Sequence, residues 1–468
     1  MTSLTLRRLE PAVPVIAAAV LGVGVVQVAY MTAPIVPLVL AGGAALVVLS
    51  VVRPIIVLFA AVALAPLELI SVDLGAVGVS PAEAMLMLSG FGWAAVRTTR
   101  LEAPFTPSSL SWPLALLVLA LIPGLLIAQD SFAVVKVVVL WTGFFFVFQM
   151  LITDGDEKTV RTLLFVLAIS AAVVGAIAVI KSGGTAPELR GSGQTASGRA
   201  TGSFTHPNTL ATFEALALPG ALALGLKGAA AVRPFALASF AVIFAGLALS
   251  LSRGGLLAVA GALGMMLVWT PFRRTVVVAT AIVLVLGFAG GNPLGDTEQL
   301  QVFERRIESI GYSAGGVDPR FRLWEVTPQI IYDHPLVGVG ANAFPDVAPR
   351  YGLLLENSGS TYEHAHNIAL TVAAEMGLFG LLALGWIVVA LTRELVRGYR
   401  RPGADRGVAL AVAAAFVAVA LQGMVDYTLR SAIIPGVIFA LAGCAVLLAR
   451  GDAAKDGAAL QSEPAASR

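Results

Sequence analysis

The chain has 468 residues, 58% of them hydrophobic and only 12% charged, with a mean hydropathy of +0.89. A soluble chain of this length needs far more surface charge, so the composition excludes a soluble globular protein and defines a polytopic membrane protein. The formal net charge of +2 identifies no partner until it is divided between the membrane faces, and the single cysteine, Cys444, excludes a disulfide framework.

The N-terminus, "MTSLTLRRLEPAV", leads into a full-length apolar run without a small-residue cleavage site, and reads as a retained first helix. Runs long enough to cross ~30 Å of hydrocarbon fall at 13–31, 34–52, 54–70, 81–96, 110–128, 131–151, 159–181, 206–227, 234–251, 254–270, 274–291, 364–392, 407–425 and 431–450. The third and fourth are short and flank "LELISVDLGAVGVSP", so the expected count is 12–14. With the N-terminus inside, Arg7, Arg8, Arg97, Arg100, Lys158, Arg161, Arg397, Arg400, Arg401 and Arg450 fall at inner ends. The short outer ends hold only Lys136, Lys181, Arg190, Arg199, Arg253 and Arg430. That asymmetry places the long segment 292–363 outside.

The expected organisation is a bundle of about eleven spans over 1–291, an extracytoplasmic loop over 292–363 lying across the bundle, and three further spans over 364–450. A polar, alanine-rich tail over 451–468 reads as disordered and cytoplasmic. The outer stretch 182–203, "SGGTAPELRGSGQTASGRATGS", is a flexible linker by composition. Within the large loop, "GVDPRFRLWEVTPQIIYDHPLVGVG" predicts a short helix with Asp318 as N-cap and Pro319 at its first position. No repeat of 20–50 residues is visible.

Four clusters of polar residues fall at outer ends. "ALSLSRGGLLAVAG" places Arg253 at the tip of a tight hairpin, either snorkelling to headgroups or forming an anion site with the helix opened by Gly254 and Gly255. Arg320 and Trp324 share a helical face at i and i+4, on either a lipid-resting helix or a site, with Arg322 nearby. In "RATGSFTHPNTLATFEALALPG", His206, Pro207 and Asn208 open a span, with Asn208 a candidate cap and Glu214 two turns deeper. In "YEHAHNIALTVAAEMGLFG", His366 starts a span whose face carries Ala369, Leu370, Ala373, Gly377 and Gly380, a small surface suited to close helix approach. His364 and His366 are either interfacial residues, or His366 is a base held by that packing while His364 lies in the loop without support. Glu375 falls on the opposite face from His366. His364-x-His366 has zinc-ligand spacing but no third ligand nearby in sequence, and Asp154-x-Asp156 lies in a short inner turn, so no metal site is expected.

These residues together resemble a family. "HNIALTVAAEMGLFG" is similar to the signature of bacterial O-antigen ligases and polymerases: His366-Asn367, nine residues, Gly377, two residues, Gly380. "RFRLWEVTPQIIYDHPLVGVGANAF" resembles the family's Arg-x-x-x-Trp segment and its Asp-x-Pro-Leu-x-Gly-x-Gly, with Pro328 a departure expected to shorten the helix. "LSRGGLLA" and "GSFTHPNTLA" resemble its Ser-Arg-Gly hairpin and Pro-Asn helix start. The resemblance covers roughly residues 199–392. It implies an all-helical C-type glycosyltransferase fold in the bacterial cytoplasmic membrane, with the active site outside. The implied donor is a glycan on undecaprenyl pyrophosphate and the acceptor a glycan, lipid or protein, with no metal, cofactor or nucleic acid. It further implies His366 as catalytic base and Arg253 and Arg320, with Arg322 as a rival, on the pyrophosphate; Asn367, Trp324, Asn208, His206, Gly377 and Gly380 are supporting or substrate-binding residues. A transporter of surface polysaccharide or another anionic solute is the competing reading, expected to show inverted repeats and broken midplane helices.

Overall fold

The computed structural model describes residues 35–183, 199–267, 319–354 and 361–451 apart from positions 69, 71, 75, 76, 428 and 430. It also describes residues 273 and 277 and the short strands 312–313 and 316–317. The expected spans at 13–31 and 274–291, the Asp318 cap, the linker 184–198 and the tail 452–468 lie outside the described residues.

Among the described residues the first helices are α1 (Ile35–Val52) and α2 (Pro54–Ala63), followed by a hairpin of β1 (Val72–Leu74) and β2 (Val77–Val79) pairing Asp73 with Gly78. The apolar run 54–70 is therefore a ten-residue helix and a turn rather than a full span. α3 (Pro81–Thr99) begins with a capping box, in which Ser80 Oγ accepts from the Glu83 N–H at 3.2 Å and the Glu83 carboxylate accepts from the Ser80 N–H. The run 110–128 also breaks, into α4 (Ser111–Leu119) and α5 (Gly124–Ile127), because Pro123 lacks the amide hydrogen that a continuous helix needs.

The bundle is completed by α6 (Ser131–Asp154), α7 (Glu157–Gly183), α8 (Pro207–Lys227), α9 (Arg233–Leu249) and α10 (Arg253–Met266). After a strand pair, β3 (Tyr312–Ser313) and β4 (Gly316–Val317), come α11 (Pro319–Asp333) and α12 (Phe344–Val347). The chain then forms α13 (Ile368–Arg400), α14 (Arg406–Gly423) and α15 (Ile433–Arg450). Among the described residues six helices, α6, α7, α8, α13, α14 and α15, are long and apolar enough to cross a membrane. The protein is an all-α polytopic membrane protein. Its axial helix is α8, whose apolar window is 89% buried against α7, α9, α10 and α14, whereas that of α6 is only 39% buried.

Polar contacts gather at both ends of the bundle. At one end Trp93 Nε1 donates to Asp154 Oδ2 at 2.6 Å, Arg161 pairs with Asp405 at 2.8 Å, and Arg401 pairs with Glu157. Asp156 there accepts from the Thr159 N–H at 2.7 Å, so the Asp154-x-Asp156 pair is spent on helix ends. At the other end Lys136 pairs with Glu83 at 3.2 Å and Asn367 Nδ2 donates to the Met424 carbonyl at 3.0 Å.

α13 is not the uninterrupted helix that its apolarity suggests. Gly377 has φ 62° and ψ −156°, which breaks the hydrogen-bond ladder. The segment 335–340 lies along the break: Leu378 N–H donates to the Pro335 carbonyl at 2.8 Å, Val339 N–H to Ala374 at 2.9 Å, and Gly340 N–H to Glu375 at 3.0 Å. A Cβ on Gly377 would sit 2.3 Å from the Leu336 carbonyl carbon, and one on Gly338 would sit 2.4 Å from that of Glu375. These glycines let two backbones touch. The expected small face for an approaching helix is thus corrected: a loop makes the approach, Ala369 is exposed, and a Cβ on Gly380 would meet Met376 of its own helix at 2.4 Å. Pro328 is accommodated inside α11, which runs a full fifteen residues, so the expected shortening does not occur.

Glu68, just beyond α2, accepts a hydrogen bond from Ser431 Oγ at 2.8 Å. Burial raises its pKa to about 7, opposed by the Ser431 bond and reinforced by the charge of Glu83. Because the folded pKa is raised, the stability linked to this proton is full below about 4.5 and is lost as pH rises through about 7. Glu68→Gln should therefore flatten the fall in melting temperature between pH 5 and 8, measured in detergent. An unchanged pH slope would contradict the linkage.

Candidate functional site

The site is built at the Asn367 end of the bundle, where four helix termini meet. Ser252 caps α10: its Oγ accepts from the Gly255 N–H at 3.2 Å, so that amide is not free for an anion as the sequence suggested. The same hydroxyl donates to Asn208 Oδ1 at 3.0 Å. Asn208 Oδ1 also accepts from Arg199 Nη2 at 2.8 Å, and Arg199 Nε donates to the Ser250 carbonyl at 3.0 Å. Asn208 is therefore a buried bridge, not the helix cap. His206 is the cap of α8, its Nδ1 accepting from the Asn208 N–H at 3.1 Å. Partial burial, together with the charges of Arg199 and His366, holds His206 below the ordinary imidazole pKa against the pull of Asp426 and Glu363.

These termini border a cleft lined by Arg199, Asn208, Arg253, Arg320, Gln422 and Asp426 among others. Three arginines from three separate segments thus face one space. Arg320 lies on it and Arg322 does not; Arg322 is exposed and points toward Gly352. Trp324, one turn beyond Arg320, ties α11 to the histidine loop by donating from Nε1 to the Ala365 carbonyl at 3.1 Å.

His366 precedes α13 rather than starting it. Asn367 is the N-cap, accepting from the Leu370 N–H at 3.0 Å, and His366 has the left-handed φ of 50°, an uncommon backbone state for a non-glycine residue. His366 Nδ1 lies 2.7 Å from Asp426 Oδ1, from the turn after α14. Asp426 is 3% exposed and also accepts from the Tyr427 N–H at 2.9 Å. Burial works against its charge, but the His366 bond, the His366 and His364 charges and the Tyr427 amide together hold it well below the usual carboxylate range. An ionised carboxylate only accepts, so Nδ1 of His366 carries the hydrogen toward Asp426, and in the neutral ring the lone pair is on Nε2.

His364 is better supported than its loop position suggested. Its Nδ1 accepts from the His366 N–H at 3.2 Å, and the two rings meet edge-on at 4.3 Å. Asp426 also supplies the third ligand type that the sequence lacked nearby, since ligand atoms of His364, His366 and Asp426 lie within 4.8 Å of one another. Two imidazoles and a carboxylate suit a divalent metal. In this geometry, however, the His366 and Asp426 atoms closest to each other form a hydrogen bond.

Asp426 and Arg199 were missed as site residues. Asp426 ends an apolar run, "LQGMVDY", and a lone carboxylate at a span end beside an expected site was the available signal. Arg199 reads in sequence only as an outer cation within a flexible linker.

The polytopic helical bundle thus carries an arginine-lined cleft beside a His–Asp pair. Residues 238–385, about a third of the chain, match the family model described as O-antigen ligase, and that stretch is similar to this family. The matched stretch contains Arg253, Arg320, Trp324, His366, Asn367, Gly377 and Gly380, whereas His206, Asn208, Arg199 and Asp426 lie beyond it. No curated protein sequence matches the chain.

Proposed function

We propose that the protein transfers a glycan from undecaprenyl pyrophosphate to an acceptor hydroxyl at the outer face of the bacterial cytoplasmic membrane, with His366 as base. The observation that carries this reading is the meeting of three arginines at one cleft with Asp426, the hydrogen-bond partner of His366. The acceptor oxygen attacks the anomeric carbon, the bond from that carbon to the pyrophosphate oxygen breaks, and the pyrophosphate leaves with the electron pair. His366 Nε2 takes the acceptor proton, and Asp426 stabilises the imidazolium that forms. Arg253 and Arg320, with Arg199, meet the charge that develops on the leaving group, work that a metal ion does in other transferases. The acceptor is a glycan, a lipid or a protein.

A guanidinium fork binds two phosphate oxygens at once, which a lysine ammonium does not reproduce. Arg253→Lys is therefore expected to raise the donor KM by about tenfold or more, a change of about 1.4 kcal/mol, in a gel assay of purified enzyme with lipid-linked donor. Wild-type activity is expected to survive EDTA. Near-normal donor KM in Arg253→Lys would support headgroup snorkelling instead, and EDTA inactivation reversed by a divalent ion would assign the charge to a metal at His364, His366 and Asp426.

The break in α13 is the feature that favours a transporter, since transporters bind ions at broken helices. Here backbone amides and carbonyls around Gly377 are taken up by residues 335–340, which leaves the transferase as the better reading.

A further inference from the structure

Three metal-ligand side chains from two segments converge beside the arginine cleft. His364 and His366 come from the loop before α13 and Asp426 from the turn after α14, and one ligand atom of each lies within 4.8 Å of the others. Asp426 is buried and His366 only half-buried, which leaves an ion a path to the cluster. Without an ion, the cluster is held by the 2.7 Å bond between His366 Nδ1 and Asp426 Oδ1. The His366 N–H adds a second tie by donating to His364 Nδ1 at 3.2 Å.

Imidazole suits zinc, whereas magnesium prefers a shell of oxygens. Two imidazoles and a carboxylate fill three of zinc's four positions and leave one for water. Tetrahedral ligands on zinc stand ~3.4 Å apart, so the cluster must open at the His366–Asp426 bond and tighten elsewhere. The arginines that share Asp426 oppose a dication, which limits the affinity. We infer that His364, His366 and Asp426 form an inhibitory zinc site. Whichever ring nitrogen of His366 the ion takes, the base is lost. On Nε2 the ion occupies the lone pair that would take the acceptor's proton; on Nδ1 it displaces the hydrogen, which returns to the ring at Nε2. Zinc binding stands on the cluster alone, whereas inhibition rests on the transferase reading above.

The test uses the purified full chain, free of any affinity tag, in lipid nanodiscs after EDTA treatment and removal of the chelator. Titration calorimetry with zinc chloride should show about one ion per chain, and magnesium chloride should show no binding. His364→Gln is the informative variant, because its amide oxygen can still accept from the His366 N–H while offering zinc no imidazole. It should bind zinc at least about tenfold more weakly, since loss of even an outer-shell partner costs that much. Asp426→Asn should do the same, and His334→Ala, at an exposed position, should not. Melting curves without zinc verify that each variant is folded, and zinc should raise the melting temperature of the wild type but not of His364→Gln. In the transfer assay zinc should inhibit the wild type, EDTA should restore it, and His364→Gln should need about tenfold more zinc for equal inhibition. Unchanged zinc affinity in His364→Gln, equal binding of magnesium, or acceleration of transfer by zinc would overturn the inhibitory site. Zinc bound as expected by a wild-type chain that transfers no glycan would support the metal site and overturn the transferase reading.

Discussion

Replacing His366 with alanine is expected to lower glycan transfer by about 10²–10⁴-fold, the range that general acid–base catalysis supplies, while donor binding survives. The expectation rests on a single nitrogen. In the proposed mechanism the ionised Asp426, 2.7 Å from Nδ1, keeps the hydrogen on that nitrogen and leaves Nε2 to act as the base. Asp426→Asn keeps the shape but presents an amide that can donate to Nδ1, which favours the wrong tautomer, and its loss should approach that of His366→Ala. Because the pair acts as a unit, the double variant should be little worse than His366→Ala alone. His364→Ala should cost less than either, yet not nothing, because His364 Nδ1 receives the His366 amide and helps to hold its left-handed backbone. Turnover of purified variants, with donor binding measured separately, decides among these. Equal losses at His364 and His366, or an active His366→Ala enzyme, would remove the assignment.

The second large effect is structural. Gly377→Ala should cost about 3 kcal/mol or more, because its backbone state is nearly exclusive to glycine and the new methyl meets backbone that cannot move aside. The clash is with the Leu336 carbonyl carbon at 2.3 Å, in the segment that joins α11 to α12. Losing those contacts should free α11 and carry Arg320 and Trp324 away from the cleft. Gly385→Ala is the control on the same helix: nothing lies within 4 Å of an added Cβ there, so it should be neutral or slightly stabilising. Melting temperature in detergent, followed by size-exclusion fluorescence, reads both. Equal melting temperatures for the two variants would mean that the docked loop contributes little.

Much of this architecture was legible in the amino-acid order. Composition alone required a membrane bundle, and the distribution of Arg and Lys placed Arg253, Arg320 and His366 at one end, where the cleft gathers the two arginines beside Asp426. What stayed hidden has physical reasons. Asp426 pairs with a histidine 60 residues away, and a hydropathy window reads it only as the end of a span. The left-handed backbone of His366 has no periodicity, so a helical wheel drawn from it runs on where the chain has turned. Gly377 and Gly380 have the spacing of a helix-packing face, and spacing does not tell an approaching helix from an approaching loop. The glycines of "HPLVGVG" were the counterpart of that break, since two backbones can meet only where both lack a side chain.

The most direct measurement follows one bond in proteoliposomes containing only the purified chain. A lipid pyrophosphate-linked glycan is supplied with acceptor and EDTA, and both released polyprenyl pyrophosphate and glycan on the acceptor are quantified. The two products should appear in equal amounts with the wild-type protein and fall together with His366→Ala and Asp426→Asn. Movement of intact lipid-linked glycan across the bilayer with no pyrophosphate released, or release indifferent to His366, would contradict the transferase.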